Sequence, residues 1–397
     1  MCRCADSQVT SSRPARWPVG RGSRGSGNRR CVSRCLLEHP GDAERVGPHD
    51  AVPATPTSHR DTAFAANGPY KPGVAFKTTP EGDTVVLYYP VDPSATVGKP
   101  TYVINLLRWF TGSPSAPIPV GLPSTLPTTL ATDAYTGVPI SRRGPFPVVL
   151  FSHGFGGYPE QSSFLTDHLA TWGFVVVAPD HCTRDLKAVV SGTTKNGDQD
   201  ITDLREALEL VTKMNATPGT LLTGKLDLTR VASLGHSAGG GAAITVAGDK
   251  DIRTYIGMAP SPGAAPPSKR GLIMQGTSDK VVNPAGTLKL YAKLKDPKRL
   301  VLIDGAGHNV FDDGCTIGPP RAGWSNSSRR STSRRPSHPL PPTAVRPPPT
   351  AWPLIDQVVT AQLRYGLGID TTPVGLGSGL DHAFDGVTAS VKASTAS

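Results

Sequence analysis

A serine stands between two glycines in residues 235–239, Gly-His-Ser-Ala-Gly, which match the pattern G-x-S-x-G. The short apolar run 231–234 before it has the composition of a buried strand, and the Ala-rich residues 238–247 have that of a helix. At a sharp strand-to-helix turn the two backbones nearly touch, so small residues are needed on both sides of the serine. The pattern predicts that Ser237 is a nucleophile lifted clear of a sheet. An ordinary glycine loop is the alternative.

Two further side chains follow predicted strands and could complete this chemistry. Asp279 comes just after the apolar run 272–275, and His308 comes after 300–303 in a glycine-rich turn. Ligands bind beyond the carboxyl ends of the strands in such sheets, so we expect these side chains to meet Ser237 there. An acid can orient a histidine, which then takes the proton of the serine. The chain order serine, acid, histidine is that of a triad built around a G-x-S-x-G serine.

The alternatives to these two residues are weaker. Asp279 alone could be an ordinary helix-capping or turn residue, and a lone histidine in a loop could be incidental. Three other acids are less well placed to orient His308, namely Asp180, Asp251 and Asp304. The coincidence of three residues, each directly after its own strand, favours the triad.

A second glycine-rich segment, residues 152–157, follows the apolar strand 146–151. The backbone N–H of Phe155 and that of Ala238 would together form an oxyanion hole. The candidates for the pocket wall are His153, Gly154, Tyr158, His181 and His236. We expect His153 to support the loop by hydrogen bonding, and His181 and His236 to line the pocket or pack beside it; none of the three is expected to act as a base.

The elements that must position these residues alternate regularly from residue 145 onward. Wholly apolar strands alternate with amphipathic helices such as 161–172 and 200–214, which predicts an α/β fold with a mostly parallel, doubly wound sheet. Two β-rich runs, 73–76 and 84–89, flank a turn signal and predict an antiparallel N-terminal hairpin. Residues 106–139, with two aromatics expected to be exposed, Trp109 and Phe110, could cover the site or form a surface connection.

Composition divides the chain into regions with different expectations. We expect an Arg-rich tail at 1–60, a core at 61–318, a Pro-, Arg- and Ser-rich insert at 319–350, a terminal helix at 351–368 and a flexible tail at 369–397. Residues 1–60 carry ten Arg and no Lys. Arg without Lys is typical of GC-rich DNA read out of frame, so a misassigned start and a frameshifted or unspliced insert are predicted. Natural disordered segments are the alternative.

The charge and the hydropathy of the chain argue against two classes of partner. The net charge of +10 lies in the flanking regions, and residues 61–320 are close to neutral, so we expect no nucleic-acid partner. No run approaches the ~18 apolar residues of a membrane helix, so stable membrane insertion is not expected. No signal peptide is visible, which favours the cytoplasm, unless the true start is missing and the protein is secreted. The sequence does not indicate the oligomeric state.

The cysteines give weak predictions. The spacing of Cys2, Cys4, Cys31 and Cys35 imitates a zinc site, but these residues lie in the Arg-rich tail, and no metal or other cofactor is expected. Cys182 and Cys315 follow different predicted strands. Two buried thiols are favoured for this pair, and a disulfide remains open.

Four motifs carry a resemblance to a known superfamily. The segments F-P-V-V-L-F-S-H-G-F-G-G, W-G-F-V-V-V-A-P-D-H, G-H-S-A-G-G and G-A-G-H-N-V-F resemble those of α/β hydrolases, over about residues 68–317 and the terminal helix. Within that superfamily the chain looks like the branch of chlorophyllases, platelet-activating-factor acetylhydrolases and cutinase-like polyester hydrolases. Dienelactone hydrolases share the scaffold but use a cysteine nucleophile, from which Ser237 departs.

The resemblance implies a role for each site residue: Ser237 as nucleophile, His308 as base, Asp279 as orienting acid, and Phe155 and Ala238 as oxyanion donors. The expected function is a serine hydrolase that cleaves a small-molecule or lipid-like carboxylic ester through an acyl-enzyme. A lipase, a thioesterase and a phospholipid acetylhydrolase are the enzymatic alternatives. A non-catalytic scaffold that binds a hydrophobic ligand is the rival from another class, and an Arg-rich nucleic-acid-binding protein would depend on the flanking regions alone.

Overall fold

The computed structural model describes residues 51–56, 60–96, 98–117, 127–262, 268–317 and 350–394, and the statements below concern those residues. The strands in chain order are β1 (Lys71–Thr78), β2 (Thr84–Val91), β3 (Val103–Asn105), β4 (Thr129–Ala131), β5 (Tyr135–Thr136), β6 (Phe146–Ser152), β7 (Val175–Pro179), β8 (Leu226–His236), β9 (Ile252–Met258), β10 (Arg270–Gly276), β11 (Lys298–Ile303) and β12 (Ala389–Ser394). The α-helices are α1 (Leu106–Thr111), α2 (Ser163–Thr171), α3 (Leu186–Ser191), α4 (Gln199–Ala216), α5 (Ala238–Val246), α6 (Pro284–Lys293), α7 (Gly314–Ile317) and α8 (Trp352–Gly366).

Ten of the described strands form one twisted sheet in the order β12-β11-β10-β9-β8-β6-β7-β2-β1-β5. The six strands from β11 to β7 run parallel to one another, while β1 and β2 form an antiparallel hairpin that joins the sheet through β7. From β6 the chain continues first to β7 on one side and later to β8 on the other. This switch point opens a crevice at the carboxyl ends of β6 and β8, where ligands bind in sheets of this kind.

Helices cover both faces of the sheet because the strands are apolar on both sides. Alternate residues of β6 face opposite ways: Val149 and Phe151 pack with α2 and α8, whereas Val148 and Leu150 pack with α4 and α5. All four side chains are fully buried. The predicted α/β class, with its doubly wound parallel sheet and antiparallel hairpin, is confirmed.

The segment before β6 differs from its prediction. Trp109 is only 6 % exposed, and its ring stacks on Tyr158 with centroids 6.2 Å apart. Its helix α1 has an N-cap, since the side chain of Asn105 accepts a hydrogen bond from the N–H of Leu107. The expectation of an exposed Trp109 was wrong, because a six-residue helix carries too few positions to reveal its buried side. Residues 118–126 lie outside the described chain.

Two flanking segments belong to the packed domain. Residues 369–394, expected to be a flexible tail, contain β12, which pairs antiparallel with the whole length of β11. Residues 51–56 also contact the domain, since Tyr70 donates a hydrogen bond to the carbonyl of Ala51 and Arg364 donates to that of Pro53. Neither segment contains a continuous apolar run or a helical spacing of apolar residues, so neither could be recognised from the sequence. The expectations for residues 1–50 and for 319–349 fall outside the described chain.

None of the described helices has the length and apolar character needed to cross a membrane.

Candidate active site

Ser237 occupies the turn between β8 and α5 in a backbone conformation that side chains rarely adopt. Its φ is 58° and its ψ is −119°, so the residue stores strain that the surroundings must hold in place. The N–H of Ser237 donates to the carbonyl of Met258 at 2.9 Å, and its own carbonyl accepts from the N–H of Ser261 at 2.9 Å. These bonds fix the serine at the carboxyl end of the sheet, half-exposed.

The glycines around Ser237 are required by the closeness of backbones. A Cβ on Gly235 would overlap the carbonyl oxygen of Gly239, and a Cβ on Gly239 would overlap that of Ser152 at the end of β6. The strand, the turn and the neighbouring strand therefore meet without room for a methyl group. This geometry is the sharp strand-to-helix turn, here called the elbow, that the pattern G-x-S-x-G predicts.

Asp279 and His308 are joined by a hydrogen bond of 2.8 Å between Oδ2 and the Nδ1 atom of the ring. The other carboxylate oxygen of Asp279 accepts from the backbone N–H groups of Val281 and Val282 at 2.8 and 2.9 Å. Burial alone would raise the pKa of Asp279, but these hydrogen bonds together outweigh it and hold the pKa below its usual value. The acid is therefore ionised and acceptor-only, so Nδ1 of His308 carries the proton and Nε2 is left unprotonated in the neutral ring.

Ser237 and His308 line one cleft of about 200 Å³ at the switch point. Gly154, Phe155 and Tyr158 form another wall of it. Within the described residues the Ser237 hydroxyl forms no hydrogen bond to the His308 ring, although both face the cleft. A larger cavity of about 290 Å³ lies beside the amino-terminal end of β9, away from these residues.

The loop after β6 presents backbone donors to this cleft. Among the described residues, neither the N–H of Phe155 nor that of Ala238 donates a hydrogen bond within the protein. The Phe155 ring is 62 % exposed at the cleft mouth. The loop is held from behind, because the N–H of Gly156 donates to the carbonyl of Arg184 at 2.8 Å. The two unused N–H groups belong to the residues predicted to bind an oxyanion.

The chain is similar to known ester hydrolases. Residues 135–324 match the model of a family described as PET hydrolase-like, PETase. The chain has the α/β-hydrolase fold. It resembles the chlorophyllase and polyester-hydrolase branch of that superfamily, since it is 28 % identical over 195 residues to the chloroplastic chlorophyllase-1 of Citrus unshiu and likewise to that of Citrus sinensis. The match covers 49 % of this chain and 51 % of each relative, so the chain spans about half the length of the curated relatives it matches.

Two residues that were expected to border the pocket of this hydrolase fold lie behind it. His153 and His181 are fully buried and do not line the cleft. Nδ1 of His153 bonds the carbonyl of Gly154 at 2.9 Å, and Nε2 accepts from the N–H of His181 at 3.1 Å. Burial, reinforced by the nearby charge of Arg184, lowers the pKa of His153 to about 3. Neither histidine is therefore a pocket-wall residue, because the loop after β6 folds over both; His153 bonds the backbone of that loop and His181 packs beneath it. Gly154, Tyr158 and His236 do line the cleft.

A second set of serine, histidine and aspartate lies beneath that loop. Ser152 Oγ is 2.8 Å from Nε2 of His181, and Nδ1 of His181 is 2.8 Å from Oδ2 of Asp203. We call Ser152, His181 and Asp203 the buried group, and Ser237, His308 and Asp279 the cleft group. Sequence reasoning missed the buried group. The sequence offers one signal for the buried group. Asp203 in α4 is four residues before the apolar, buried Ala207 and therefore lies on the covered face of the helix.

Sequence reasoning also missed Gln161 and Asp312, both of which line the cleft. Gln161 is 5 % exposed, and its side chain bonds both to the loop after β6 and to His236. Burial raises the pKa of Asp312 well above its usual range. Polar residues without a motif gave no signal, since their importance comes only from what the fold brings beside them.

Groups with metal-ligand chemistry lie outside the cleft. In the described chain, ligand atoms converge in the set Asp180, Cys182 and Asp185 and in the set Asp83, Asp203 and Glu206. Several of these atoms already serve the fold, since Asp185 caps α3 through the N–H of Ala188, and Asp203 bonds His181. The sulfur of Cys182, half-buried, donates to Asp83 at 3.0 Å. The side chain of Cys315 lies outside the described residues, so its pairing stays a prediction.

Proposed function

We propose that the protein is a serine hydrolase that cleaves carboxylic esters through an acyl-enzyme intermediate. The observation that carries the proposal is the half-exposed Ser237 on a strained elbow, in the same cleft as a histidine bonded to an ionised aspartate. The PET hydrolase-like match and the chlorophyllase relatives support an ester as the substrate. The chain spans about half of those relatives, so the activity of the whole protein is part of the proposal.

The first half of the proposed reaction transfers the acyl group to the serine. Nε2 of His308 takes the proton of Ser237 as its oxygen attacks the ester carbonyl, and Asp279 stabilises the imidazolium that forms. Hydrogen bonds between a nucleophile and its base are often long without substrate and tighten in the Michaelis complex, so the missing contact between Ser237 and His308 is compatible with this step.

The carbonyl oxygen, now negatively charged, would accept hydrogen bonds from the N–H groups of Phe155 and Ala238. One such donor typically contributes about 3 kcal/mol to lowering the barrier. Collapse of the tetrahedral intermediate releases the alcohol, to which His308 returns the proton. His308 then takes a proton from a water molecule as that water attacks the acyl-enzyme. The second tetrahedral intermediate collapses, the carboxylic acid leaves, and His308 returns the proton to the Ser237 oxygen.

The experiment is hydrolysis of p-nitrophenyl esters from acetate to laurate by the full chain, alongside Ser237→Ala. We expect activity in the wild type, loss of it in the variant, and labelling of Ser237 by a fluorophosphonate. The preferred acyl length would separate a short-chain esterase or acetylhydrolase from a lipase, and a thioester series would test the thioesterase alternative. A folded wild type that neither hydrolyses any ester nor takes the label would favour a non-catalytic ligand-binding protein.

A further inference from the structure

Three hydrogen bonds form a chain through the side chains of Gln161 and His236. The N–H of Gly154 donates to Oε1 of Gln161 at 3.0 Å, and Nε2 of Gln161 lies 3.0 Å from Nδ1 of His236. Nε2 of His236 lies 3.2 Å from the backbone carbonyl of His308. These hydrogen bonds therefore join three parts of the cleft. The parts are the loop that carries Phe155, the elbow at His236 beside Ser237, and the backbone of the proposed base.

The N–H of Gly154 determines which atom donates and which accepts in all three hydrogen bonds. A backbone N–H can only donate, so the atom of Gln161 that faces Gly154 is the oxygen and the atom that faces His236 is the NH2 group. Because an NH2 group can only donate, Nδ1 of His236 is the acceptor. The proton of a neutral His236 then lies on Nε2, where it meets a carbonyl, which can only accept. All three hydrogen bonds therefore form with the same tautomer of His236.

The surroundings keep His236 uncharged and hold the hydrogen-bonded side chains in place. His236 is 2 % exposed, and burial first, then the nearby positive charge of a protonated His308, lower its pKa to about 3. Its ring centroid lies 4.6 Å from that of His308, and the Asp312 carboxyl, whose pKa burial raises, lies 3.4 Å from its Nδ1. The backbone of Gln161 is also fixed, since its N–H donates to the carbonyl of Tyr158 at 3.0 Å.

Close packing around Gln161 fixes the position of its side chain. A Cβ on Gly157 would overlap Oε1 of Gln161, so the glycine makes room for the amide directly beneath the loop. The carbonyl of Gln161 accepts from the N–H of Asp313 at 2.6 Å, which ties the same residue to the segment after His308. Gln161 is thus held at both its backbone and its side chain, between two loops that carry different parts of the cleft.

We propose that Gln161 is a positioning residue: through the N–H of Gly154 it sets the placement of the Phe155 N–H, and through His236 it sets that of His308, relative to Ser237. This inference rests on the proposed serine hydrolase function. The amide touches no reacting atom; it acts by holding three segments that come from distant parts of the sequence. Misplacement of a catalytic group by about 1 Å can cost about 100-fold in rate, so the loss of this amide should affect turnover more than substrate binding.

The test compares two substitutions at Gln161 with a matched control in the full chain. Gln161→Leu removes both hydrogen bonds at similar size, and Gln161→Glu keeps an acceptor for Gly154 but removes the donor to His236. The control is Gln357→Leu in α8, because Gln357 is also buried and also accepts from a backbone N–H, that of Phe64, away from the cleft. Steady-state kinetics on a p-nitrophenyl ester, thermal melting and ¹⁵N NMR of the histidine rings are measured.

We expect kcat to fall about 10- to 100-fold in both Gln161 variants while KM stays within about threefold, and Gln357→Leu to lower only the melting temperature. In the wild type, NMR should report His236 as the neutral tautomer with its proton on Nε2. A folded Gln161→Leu variant with wild-type kcat, or a wild-type His236 protonated on Nδ1, would overturn the inference alone. A wild type without ester hydrolysis or fluorophosphonate labelling would overturn the proposed function and this inference together.

Discussion

The cleft group and the buried group contain the same three residue types, and in both the histidine is hydrogen-bonded to the aspartate. In both, the aspartate oxygen and Nδ1 of the histidine are 2.8 Å apart. They differ at the serine: Ser237 stands half-exposed on a strained turn, whereas Ser152 is the last residue of the central strand β6 and is fully buried. Arg184 also donates to the Ser152 hydroxyl at 3.0 Å. The nearness of a serine, a histidine and an acid is therefore not enough to identify a nucleophile; access and backbone geometry favour Ser237 as the proposed one.

The two acids also differ in charge. Hydrogen bonds hold the pKa of Asp279 below its usual value, while burial raises the pKa of Asp203 to about 8. An ionised aspartate can stabilise an imidazolium, and a protonated one cannot. The buried group is suited to fixing the strand ends under the loop after β6, and the cleft group is suited to proton transfer.

Exchanging each serine for alanine should separate the two groups most strongly. We expect Ser237→Ala to lose at least about 10⁴-fold in kcat, since Ser237 is the proposed nucleophile and its removal leaves only substrate binding and the proposed oxyanion hole. Ser152→Ala should stay within a few fold of wild-type kcat and lose about 1 to 3 kcal/mol of unfolding free energy, because it leaves buried partners unsatisfied. Ester hydrolysis and urea unfolding measure both. Equal losses of kcat in the two variants would contradict the distinction.

The next largest contrast is expected between the two acids. Asp279→Asn should lower kcat by about 10³- to 10⁴-fold, since an amide favours the wrong tautomer of His308. Asp203→Asn should change kcat only a few fold, because its histidine faces no substrate. The measurement is ester hydrolysis by proteins whose circular dichroism matches that of the wild type. A large loss of kcat in folded Asp203→Asn would show that the buried group takes part in turnover.

The close approach between the elbow and the end of β6 can be tested by one substitution. Gly239→Ala would drive a methyl group into the carbonyl oxygen of Ser152, so we expect a loss of at least about 3 kcal/mol of stability or a failure to fold. Gly286→Ala in α6 is the matched control, since nothing lies within 4 Å of its Cβ and a helical alanine should stabilise by up to about 1 kcal/mol. Melting temperatures compare the two. An unchanged Gly239→Ala would show that the elbow can relax.

The smallest expected effect is in the pH dependence of stability. The folded pKa of Asp279 is lowered, so its contribution is present above the unfolded value of 3.8 and is lost as the pH falls through the folded value. The folded pKa of Asp203 is raised, so its contribution is present below 3.8 and is lost as the pH rises toward about 8.

Between about pH 5 and about pH 8 the stability of Asp203→Asn should therefore improve relative to the wild type by more than about 1 kcal/mol, and that of Asp279→Asn should not. Urea unfolding at the two pH values measures this. The same trend in both variants would contradict the assigned charges.

The sequence predicted the parallel sheet, the hairpin and the elbow because each has a local pattern. Wholly apolar runs mark central strands, and the glycines flanking Ser237 record the closeness of Gly239 to Ser152. Asp279 and His308 could be placed because both directly follow such strands. Gln161 could not, since it lies just before α2 in a segment without a motif. For Asp203 the spacing to Ala207 indicates a covered side chain but not which distant segments supply its partners. His153 and His181 were placed in the pocket because position after a strand does not tell which way a side chain points.

The short strand β12 has a consequence for self-association. It covers the edge of β11 that would otherwise offer unpaired N–H and C=O groups to a second chain, and such edges promote aggregation. β12 itself is only six residues long and carries Lys392, two features that make its outer edge a poor template for another strand. The carbonyl of Thr388, directly before it, also accepts from the N–H of Asp304 in the turn leading to His308. A segment with the composition of a tail thus protects the protein from edge-to-edge aggregation and also stabilises the loop that carries the proposed base.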